Sequence, residues 1–330
     1  MDILGIYPSS SKILLVGPYP PPLGGVSVHI KRLKKLLDFY RNKTDCFYRS
    51  KKFKSRIIDS IKLFKLLYLN DYDIIHIHGY FRAYILIIYL CRIFKNYAIY
   101  YTAHNSRLFE NKNIISKYLI KCFIKRLDYL VVVSRHILKN YEQNKVKLPD
   151  KILVRNAFLP PPIEDYDRIF ESYSKDTKKF LSEKKPIILA SAWKISFYKN
   201  MDLYGLDLCI EVASQIKRTF PQLGFLFALA NKDYNSHYIA QMKELIEKKG
   251  IKENFYIMTG QKELWPIFKR ADLSLRPTAT DGDALSIRES LYFNCPVIAS
   301  DVVRRPEKTI TFKSRDIEDL YSKVIKILGS

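Results

Sequence analysis

The sequence predicts an α/β protein with two Rossmann-like domains, and three observations support that fold class. The chain has 330 residues, more than a single hydrophobic core usually organises. Short apolar segments alternate with longer amphipathic ones, as in βα units arranged around a parallel sheet. Hydrophobic residues make up 48% of the chain, which is enough for two cores and argues against disorder.

Ten short apolar segments are predicted to be strands, with five in each half of the chain. The first five cover residues 12–16, 74–78, 98–103, 129–133 and 152–155. The second five cover residues 187–190, 223–229, 255–258, 273–276 and 296–299. Apolar residues at helical spacing predict a last helix over 315–328. Prolines at 160–162 interrupt regular structure between the two sets, so we expect domains over residues 1–165 and 166–330.

The positive charge is concentrated in the first half of the chain. The formal net charge is +23. Residues 1–160 contain 29 lysines and arginines against 10 acidic residues, whereas residues 161–330 contain 27 against 23. We therefore expect the N-terminal half to meet any anionic partner. Nucleic acid is not expected as that partner, because the chain has no RNP, KH or helix-turn-helix signature.

The cysteines and the first residues of the chain indicate a reducing compartment. Five widely spaced cysteines without a CxxC pair predict free thiols, with neither disulfides nor a zinc site. Residues 1–11 lack the basic and apolar regions of a signal peptide. Residues 80–101 are apolar but contain three basic residues, which a bilayer core would penalise. We expect a cytoplasmic protein in which this stretch forms a buried helix and a strand.

Glycines and histidines follow the predicted strands of the first half. Gly24 and Gly25 precede an amphipathic segment, where an uncovered backbone and a helix N-terminus can receive an anionic ligand. A plain strand-to-helix turn is the alternative. His76 and His78 end one predicted strand and His104 follows the next, at the sheet edge where α/β proteins bind ligands. For His76 and His78 we favour hydrogen-bonded structural roles, because no third metal ligand can be placed.

Two lysines follow the first predicted strand of the second half. Lys194 and Lys199 lie five residues apart on what the sequence predicts to be a loop above the sheet. Such a pair can bind a diphosphate as two point charges. Isolated surface lysines are the alternative in a chain as rich in lysine as this one.

An acidic, glycine-containing segment follows the predicted strand at 273–276. It includes Asp281, Gly282 and Asp283, and a helix is predicted to start at Ser286. Carboxylates in such a loop can bind sugar hydroxyls, and the N–H groups of the helix can bind a phosphate. Ser286 and Glu289 also have the spacing of a capping box, which gives Glu289 a structural interpretation.

The order of these segments resembles that of the family 4 retaining glycosyltransferases, which have the GT-B fold of two Rossmann-like domains facing each other across a cleft. The segments that carry the resemblance are Gly24-Gly25, residues 73–78, Val131 to Ser134, Asn156, the basic segment, Asp281-x7-Glu289 and residues 296–301. The resemblance extends from about residue 12 to residue 328 and is strongest over residues 276–301. Two departures are Asp281, where glutamate is usual, and Gly282-Asp283-Ala284, where Gly-Phe-Gly is common.

The resemblance implies a UDP- or GDP-linked sugar bound mainly by the C-terminal domain, with the acceptor on the N-terminal domain. It also implies transfer with retention, assisted by the leaving phosphate, without a cofactor or a metal. By motif position, Asp281 would contact hydroxyls of the sugar and Glu289 would hold the ribose. Lys194 is the first choice for the phosphate clamp and Lys199 the second.

The expected sites can be stated residue by residue. The expected catalytic residues are His104, Lys194 and Asp281. The expected residues for binding the sugar donor are Gly24, Gly25, Lys194, Lys199, Asp281, Gly282, Asp283, Ala284, Leu285, Ser286 and Glu289.

Basic runs in the first half predict contact with a membrane. Lysines alternate with apolar residues over 31–37, 49–54 and 117–126, as in segments that lie on anionic lipid. We expect peripheral attachment to the inner face of the cell membrane and a glycan or lipid-linked saccharide as acceptor. A solvated basic face on core helices is the alternative for the charge. A non-catalytic GT-B scaffold is the first alternative for the function, and a basic nucleic-acid-binding protein is the second.

Overall fold

The chain forms two compact units in a computed structural model, Met1–Leu159 (unit 1) and Pro160–Ser330 (unit 2). The structure describes residues 4–20, 24–48, 53–104, 107–110, 112–282 and 284–329. The division falls at the run of prolines, whose missing N–H groups interrupt helices and sheets. The boundary expected from the sequence, between residues 165 and 166, lies just beyond it.

Unit 1 is built on a six-stranded parallel sheet with the order β2-β1-β3-β4-β5-β6. The strands are β1 (Lys12–Val16), β2 (Lys43–Phe47), β3 (Ile74–Ile77), β4 (Ala98–Ala103), β5 (Tyr129–Val132) and β6 (Ile152–Val154). Its helices are α1 (Gly25–Phe39), α2 (Phe53–Leu69), α3 (Arg82–Cys91), α4 (Ile114–Lys125) and α5 (Arg135–Gln143). Short 3-10 turns lie at Leu4–Ile6 and Arg107–Phe109.

The helices of unit 1 pack on both faces of its sheet because successive strand residues point to opposite sides. Helix α1 buries Ile30, Leu33 and Leu37 against one face. Helices α2 to α5 cover the other, with residues such as Leu63 and Ile120 in the core. The buried, nearly continuous apolar strands are those expected of a parallel sheet covered on both sides.

Unit 2 has a second six-stranded parallel sheet, with the order β11-β10-β7-β12-β13-β14. Its strands are β7 (Ile187–Lys194), β8 (Phe197–Tyr198), β9 (Met201–Asp202), β10 (Gly224–Asn231), β11 (Phe255–Thr259), β12 (Leu273–Arg276), β13 (Val297–Ser300) and β14 (Ile310–Phe312). Strands β8 and β9 form a separate antiparallel hairpin. The helices are α6 (Tyr166–Glu171), α7 (Lys175–Glu183), α8 (Leu206–Ile216), α9 (Ser236–Lys248), α10 (Trp265–Phe268), α11 (Leu285–Tyr292) and α12 (Ile317–Leu328), and a 3-10 turn covers Ile163–Asp165.

The two sheets confirm the predicted α/β fold class, and all ten predicted strands are present. The sequence did not predict β2, β14 or the β8–β9 hairpin. Strand β2 is polar and half-exposed, and β14 has only three residues, so neither has the apolar run used to identify the others. Helix α12 confirms the predicted last helix and buries Leu320 and Val324.

The apolar stretch at residues 80–101 folds into α3 and β4, as predicted. Within the described ranges, no helix is both long and apolar enough to cross a membrane. Helix α3 is only partly buried, however, because Leu86 and Leu90 on its outer side are exposed.

Candidate active site

Strands β7 and β12 are neighbours in the sheet of unit 2 and end at the same edge. Leu275 of β12 pairs with Ala190 of β7, and Arg276 ends β12. Its Nη1 atom donates a hydrogen bond to the carbonyl of Ser191 at 3.3 Å. Lys194 is the last residue of β7. The carboxyl edge of a parallel sheet is where α/β folds bind ligands, so this edge is the first candidate site.

The two lysines predicted to share a loop lie in different structures. Lys194 belongs to strand β7, and its Nζ atom lies 4.0 Å from the centroid of the Tyr234 ring. This cation–π contact orients the ammonium group. Lys199 and Asn200, with φ angles of 48° and 61°, form the two-residue turn of the β8–β9 hairpin, and Lys199 is exposed. The prediction that both lysines lie on one loop is therefore wrong. Lys194 lies at the end of strand β7, and Lys199 lies in the turn of the β8–β9 hairpin.

Asp281 is held between two arginines. Arg276 donates to both of its oxygens, from Nε to Oδ2 and from Nη2 to Oδ1, each at 3.0 Å. Arg305 donates from Nη1 to Oδ2 at 2.8 Å. The Thr278 hydroxyl and the Gly282 N–H group lie 3.3 and 3.0 Å from the carboxylate oxygens. The carboxylate thus receives five donors, and a carboxylate has about four lone-pair positions.

This ion-pair network is buried, which determines its electrostatics. The side chain of Asp281 is 8% exposed and that of Arg305 is 3% exposed. Burial by itself would raise the pKa of Asp281, but the hydrogen bonds and charges of Arg276 and Arg305 outweigh it and lower that pKa. Asp281 is therefore ionised, and its two oxygens already accept as many hydrogen bonds as they can in this structure. The expected contact with a sugar hydroxyl remains a prediction, and it would require one of these donors to leave.

Helix α11 begins one residue earlier than predicted. Its first residue is Leu285 and its N-cap residue is Ala284, whose methyl side chain cannot accept a hydrogen bond. Ser286 thus lies within the first turn, so the capping box expected of Ser286 and Glu289 is wrong. Glu289 is 7% exposed in the middle of the helix. Asp283 lies outside the described residues, while Gly282 is exposed beside Asp281.

The loop after β12 is also fixed by the connection between β9 and α8. The N–H group of Ala279 donates to the carbonyl of Leu203 at 2.9 Å. Gly205 has a φ of 68°, and a Cβ atom there would lie 2.5 Å from the carbonyl oxygen of Pro277. Only glycine fits this left-handed position and close backbone approach.

Four of the six histidines in the sequence lie together in unit 1. His29 is on α1, His76 is on β3, and His78 and His104 directly follow β3 and β4. Ring centroids are 4.2 Å apart for His76 and His78, and 5.0 Å apart for His29 and His104. The neighbouring strands β3 and β4 bring the residues after their ends together, and α1 adds His29.

The hydrogen bonds of the four histidines differ. His76 is paired on both ring nitrogens, with the hydroxyls of Tyr7 and Thr102, which confirms its structural interpretation. His78 Nδ1 lies 3.1 Å from His104 Nε2, but no group in the part of the chain that the structure describes hydrogen-bonds to the buried His78 Nε2. Burial lowers the pKa of His29 to about 4 and that of His76 to about 3. Burial also holds the pKa values of His78 and His104 well below the ordinary value, so all four rings are neutral near pH 7.

Gly24 and Gly25 lie at the start of α1, with Gly24 as the N-cap residue. Neither has a positive φ. Among the described residues, a Cβ atom on Gly25 would meet no heavy atom within 4 Å, and one on Gly24 would meet only Ser27 Oγ at 3.9 Å. The turn itself therefore does not require glycine. Open space in front of this backbone is compatible with the predicted approach of a ligand.

The structure groups the predicted residues within each unit and adds three that were not predicted as site residues. His29 joins the histidines of unit 1, while Arg276 and Arg305 join Asp281 in unit 2. Arg305 lies 24 residues from its carboxylate and His29 lies 75 residues from His104, so sequence spacing gave no indication of either contact.

Each unit thus has the architecture of a Rossmann-like domain with polar residues at the carboxyl edge of its sheet. The model of glycosyltransferase family 4 matches residues 32–154, and the model of glycosyl transferases group 1 matches residues 173–328. The chain belongs to the family 4-type glycosyltransferases of GT-B fold.

Solved structures with the same fold are distant in sequence. A glycosyltransferase from Rickettsia africae is 15% identical, with a TM-score of 0.70 over 97% of this chain and 88% of that one. A sucrose-phosphate synthase from Thermosynechococcus elongatus is 14% identical, with a TM-score of 0.64 over 97% and 90%. The Anabaena protein HepE, solved with UDP and glucose, is 11% identical, with a TM-score of 0.63 over 96% and 89%. No curated protein sequence matches the chain significantly.

Proposed function

We propose that the protein transfers a hexose from a UDP- or GDP-sugar to a glycan or lipid-linked saccharide, with retention at the anomeric carbon. The observation that carries this proposal is the grouping of Lys194 and the first turn of α11 at one edge of the unit 2 sheet, with Glu289 inside that helix. The Anabaena protein of the same fold was solved with UDP and glucose, which supports a nucleotide-linked sugar as donor.

Cations and backbone N–H groups would neutralise the diphosphate in place of a metal ion. Lys194 is proposed as the main clamp, because its ammonium group is oriented by Tyr234. Lys199 on the hairpin would add a second charge. The N–H groups of Leu285 and Ser286, in the first turn of α11, would bind phosphate oxygens. Transfer would then proceed without a metal.

The remaining roles follow from position in the family motif and from the geometry. Glu289 would accept hydrogen bonds from the ribose. Gly24, Gly25, Gly282 and Ala284 would let the donor approach the backbone closely. We propose that Asp281 acts mainly as a positioning residue that holds the loop before α11. Asp283 keeps its predicted contact with the donor.

Retention would follow from attack on the same face that the leaving group departs from. The bond between the anomeric carbon and the phosphate oxygen breaks, and the acceptor oxygen bonds to that carbon. The acceptor proton passes to the leaving diphosphate. His104 would lie beside the sugar as a neutral hydrogen-bonding group, because burial lowers its pKa. The protein would contribute orientation of the acceptor and stabilisation of the charge on the diphosphate.

Lys194→Ala is expected to lower kcat/KM for the nucleotide sugar by about 100-fold, as loss of one preorganised donor to a developing charge does. We expect a smaller loss for Lys199→Ala, whose side chain is exposed on a turn. Lys248→Ala, an exposed lysine at the end of α9, is the control. Transfer and hydrolysis would be measured with a panel of UDP-, GDP- and ADP-sugars, with and without EDTA.

Each part of the proposal has its own contradicting result in this experiment. Equal activity of the Lys194→Ala and Lys248→Ala variants would contradict the clamp assignment. Loss of transfer in EDTA would contradict metal independence, and inversion in the product would contradict retention. Absence of binding and turnover with every donor would favour the non-catalytic scaffold.

A second feature supports the proposed attachment to a membrane. Helices α2, α3 and α4 lie side by side on one face of unit 1, with Arg82 of α3 bonded to Ser116 of α4. Their outer surface, here called the apolar outer face, exposes Ile57, Ile58, Ile61, Phe64, Tyr68, Leu69, Leu86, Leu90, Ile93, Phe94, Ile114, Ile115, Tyr118 and Leu119. Phe94 is 81% exposed and Ile114 is 85% exposed. Soluble proteins rarely expose so many large apolar side chains together.

Basic residues accompany the apolar outer face, which favours anionic lipid as its occupant. Lys62 and Lys65 of α2 and Lys125 of α4 are exposed among these side chains. The predicted basic run at 117–126 thus lies on this face. The run at 31–37 does not, because α1 is packed on the other side of the sheet and Arg32 is buried there. Most of the run at 49–54 lies outside the described residues.

Ile114→Ser is expected to weaken binding to anionic vesicles by about tenfold, since burying one isoleucine contributes about 1.5–3 kcal/mol. Flotation with equimolar phosphatidylglycerol and phosphatidylcholine, compared with phosphatidylcholine alone, measures the effect. Ile163→Ser, at an exposed isoleucine of unit 2, is the matched control. Equal flotation of the two variants, or equal binding to neutral vesicles, would contradict the proposed surface. Added salt should weaken binding through the lysines.

A further inference from the structure

Three histidines of unit 1 have the arrangement of a metal-binding group. His29, His78 and His104 each offer a ring nitrogen, and these three atoms lie within 4.8 Å of one another. They come from three separate elements: helix α1, the end of β3 and the end of β4. The sequence lacked a third ligand for His76 and His78, and the fold supplies one by bringing His29 and His104 to His78.

We propose that His29, His78 and His104 form a binding site for a first-row divalent metal ion, with Zn²⁺ as the ion that best fits the ligand chemistry. Neutral imidazoles are preferred ligands of Zn²⁺, and a set of three histidines leaves the fourth position open. All three ligands belong to unit 1, whereas the residues proposed to bind the diphosphate belong to unit 2.

His29 is already oriented as a metal ligand would be. Its Nδ1 atom lies 2.7 Å from the carbonyl oxygen of Ala157. Because a carbonyl only accepts hydrogen bonds, Nδ1 carries the proton and Nε2 presents a lone pair in the neutral ring. Metal-ligating histidines usually have a second nitrogen bonded to a carbonyl in this way.

His78 supplies an independent indication of a ligand. The residue is 3% exposed, and its Nε2 atom has no hydrogen-bond partner among the described residues. A buried polar atom without a partner costs stability, so it calls for a compensating role. Burial also lowers the pKa values of His29, His78 and His104, so protons do not compete for their lone pairs near neutral pH.

A small rearrangement would complete the site. Tetrahedral Zn²⁺ at about 2.1 Å from each nitrogen would separate the nitrogens by about 3.4 Å. His104 is the least buried of the three, so its side chain has the most room to move. Arg32 and Arg155 are near enough to His29 to affect its pKa, and their charges oppose a bare cation. They would favour an anionic fourth ligand, such as hydroxide or a phosphate oxygen.

Binding of Zn²⁺ would have a consequence for transfer. His104 cannot hydrogen-bond to the sugar while its nitrogen is bound to the metal, so Zn²⁺ is expected to inhibit the enzyme. Only this consequence rests on the proposed function. The metal site itself rests on the three histidines and is measured without a sugar donor.

Cobalt binding tests the site directly. Untagged protein of residues 1–330, stripped with EDTA and dialysed, would be titrated with CoCl₂ and then with ZnCl₂. We expect one Co²⁺ per chain, the intense visible absorption of a four-coordinate complex, and displacement by Zn²⁺. His29→Ala and His104→Ala should each weaken binding at least about tenfold. His136→Ala and His237→Ala, which remove exposed histidines, should bind as the unmodified chain does.

Each possible result of the cobalt titration leads to a different conclusion about the site. Absence of four-coordinate absorption in the unmodified chain, or equal binding by all four variants, would overturn the proposal. Far-UV circular dichroism establishes that each variant is folded, and titration of the unmodified chain stands even if one is not. Tight Co²⁺ binding without inhibition of transfer would support the metal site and contradict the role proposed for His104.

Discussion

Asp281→Ala is expected to lower the free energy of unfolding of unit 2 by about 3–5 kcal/mol, the cost of removing one partner from a buried ion pair. Arg276 and Arg305 share this carboxylate, and the Arg305 side chain is 3% exposed. Without Asp281, two guanidinium groups would remain close together with little solvent to screen them. Both tryptophans of the sequence, Trp193 and Trp265, are in unit 2, so tryptophan fluorescence in urea follows this unit alone.

Asp207→Ala is the matched control. Asp207 also forms a two-pronged pair with an arginine, Arg315, but the two side chains are 28% and 30% exposed. Because solvent reaches this pair more than the Asp281 pairs, its loss should cost less, closer to the value of about 1 kcal/mol or less that exposed pairs contribute. The two substitutions therefore remove similar contacts in different surroundings. If Asp281→Ala lowered the free energy of unfolding by no more than Asp207→Ala does, the structural importance of the Asp281 network would be contradicted.

The same variants separate a positioning role of Asp281 from a direct sugar contact. If Asp281 positions the loop, Asp281→Asn should retain part of both stability and activity, because the amide oxygen still accepts hydrogen bonds from Arg276 or Arg305. A direct contact with the sugar predicts a different result: activity would fall sharply for some sugars and not for others while stability followed the ion pairs. Comparing kcat/KM across the donor panel with the fluorescence midpoint distinguishes the two.

The central strands of both sheets could be predicted because their burial is visible in composition. Strands β1, β4 and β12 have the predicted bounds, and each is an apolar run next to a charged or polar residue. Strand β7 extends four residues beyond its predicted end, to Lys194, because Asn231 of β10 pairs with Lys194 there. Such pairing depends on a neighbour more than 30 residues away in the sequence, so a local pattern does not reveal it.

The candidate site was predictable in its residue types but not in its contacts. Lys194 was proposed from its place after a predicted strand and Glu289 from its position in the family motif, and both are local properties of the sequence. The partners of Asp281 were not, because Arg305 reaches it from beyond β13. The capping box predicted at Ser286 was wrong because the start of the helix was misplaced. Ser286 and Glu289 have the spacing of a capping box, but α11 begins at Leu285, so Ser286 lies inside its first turn.

Acidification is expected to destabilise unit 1 at pH values where most carboxylates of the protein are still ionised. Burial lowers the pKa of His29 to about 4 and that of His76 to about 3, whereas an imidazole in the unfolded chain titrates near about 6.5. Below about pH 6.5, the unfolded chain therefore binds protons that the folded unit excludes, and stability falls as the pH falls.

The expected loss is a large part of the stability of a domain. Each of these two histidines contributes a loss of about 2 kcal/mol between about pH 7 and pH 5, while proteins are stable by about 5–15 kcal/mol. His78 and His104 act in the same direction, since their pKa values are also lowered. Asp281 does not change the stability over this pH range, because its lowered pKa keeps it ionised until more acidic pH.

Urea unfolding in EDTA at several pH values between about 7 and 5 would measure the effect, because proton uptake sets the slope of stability against pH. Tryptophan fluorescence reports unit 2, so a second transition in far-UV circular dichroism belongs to unit 1. His29→Asn should reduce the slope for unit 1 by about 1.4 kcal/mol per pH unit well below about pH 6.5, the contribution of one proton. His136→Asn, at an exposed position in the same unit, should leave it unchanged. If the slope of stability against pH were the same in the unmodified chain and in His29→Asn, the fold would not hold His29 neutral. Protons would then compete with a metal ion for His29 at neutral pH.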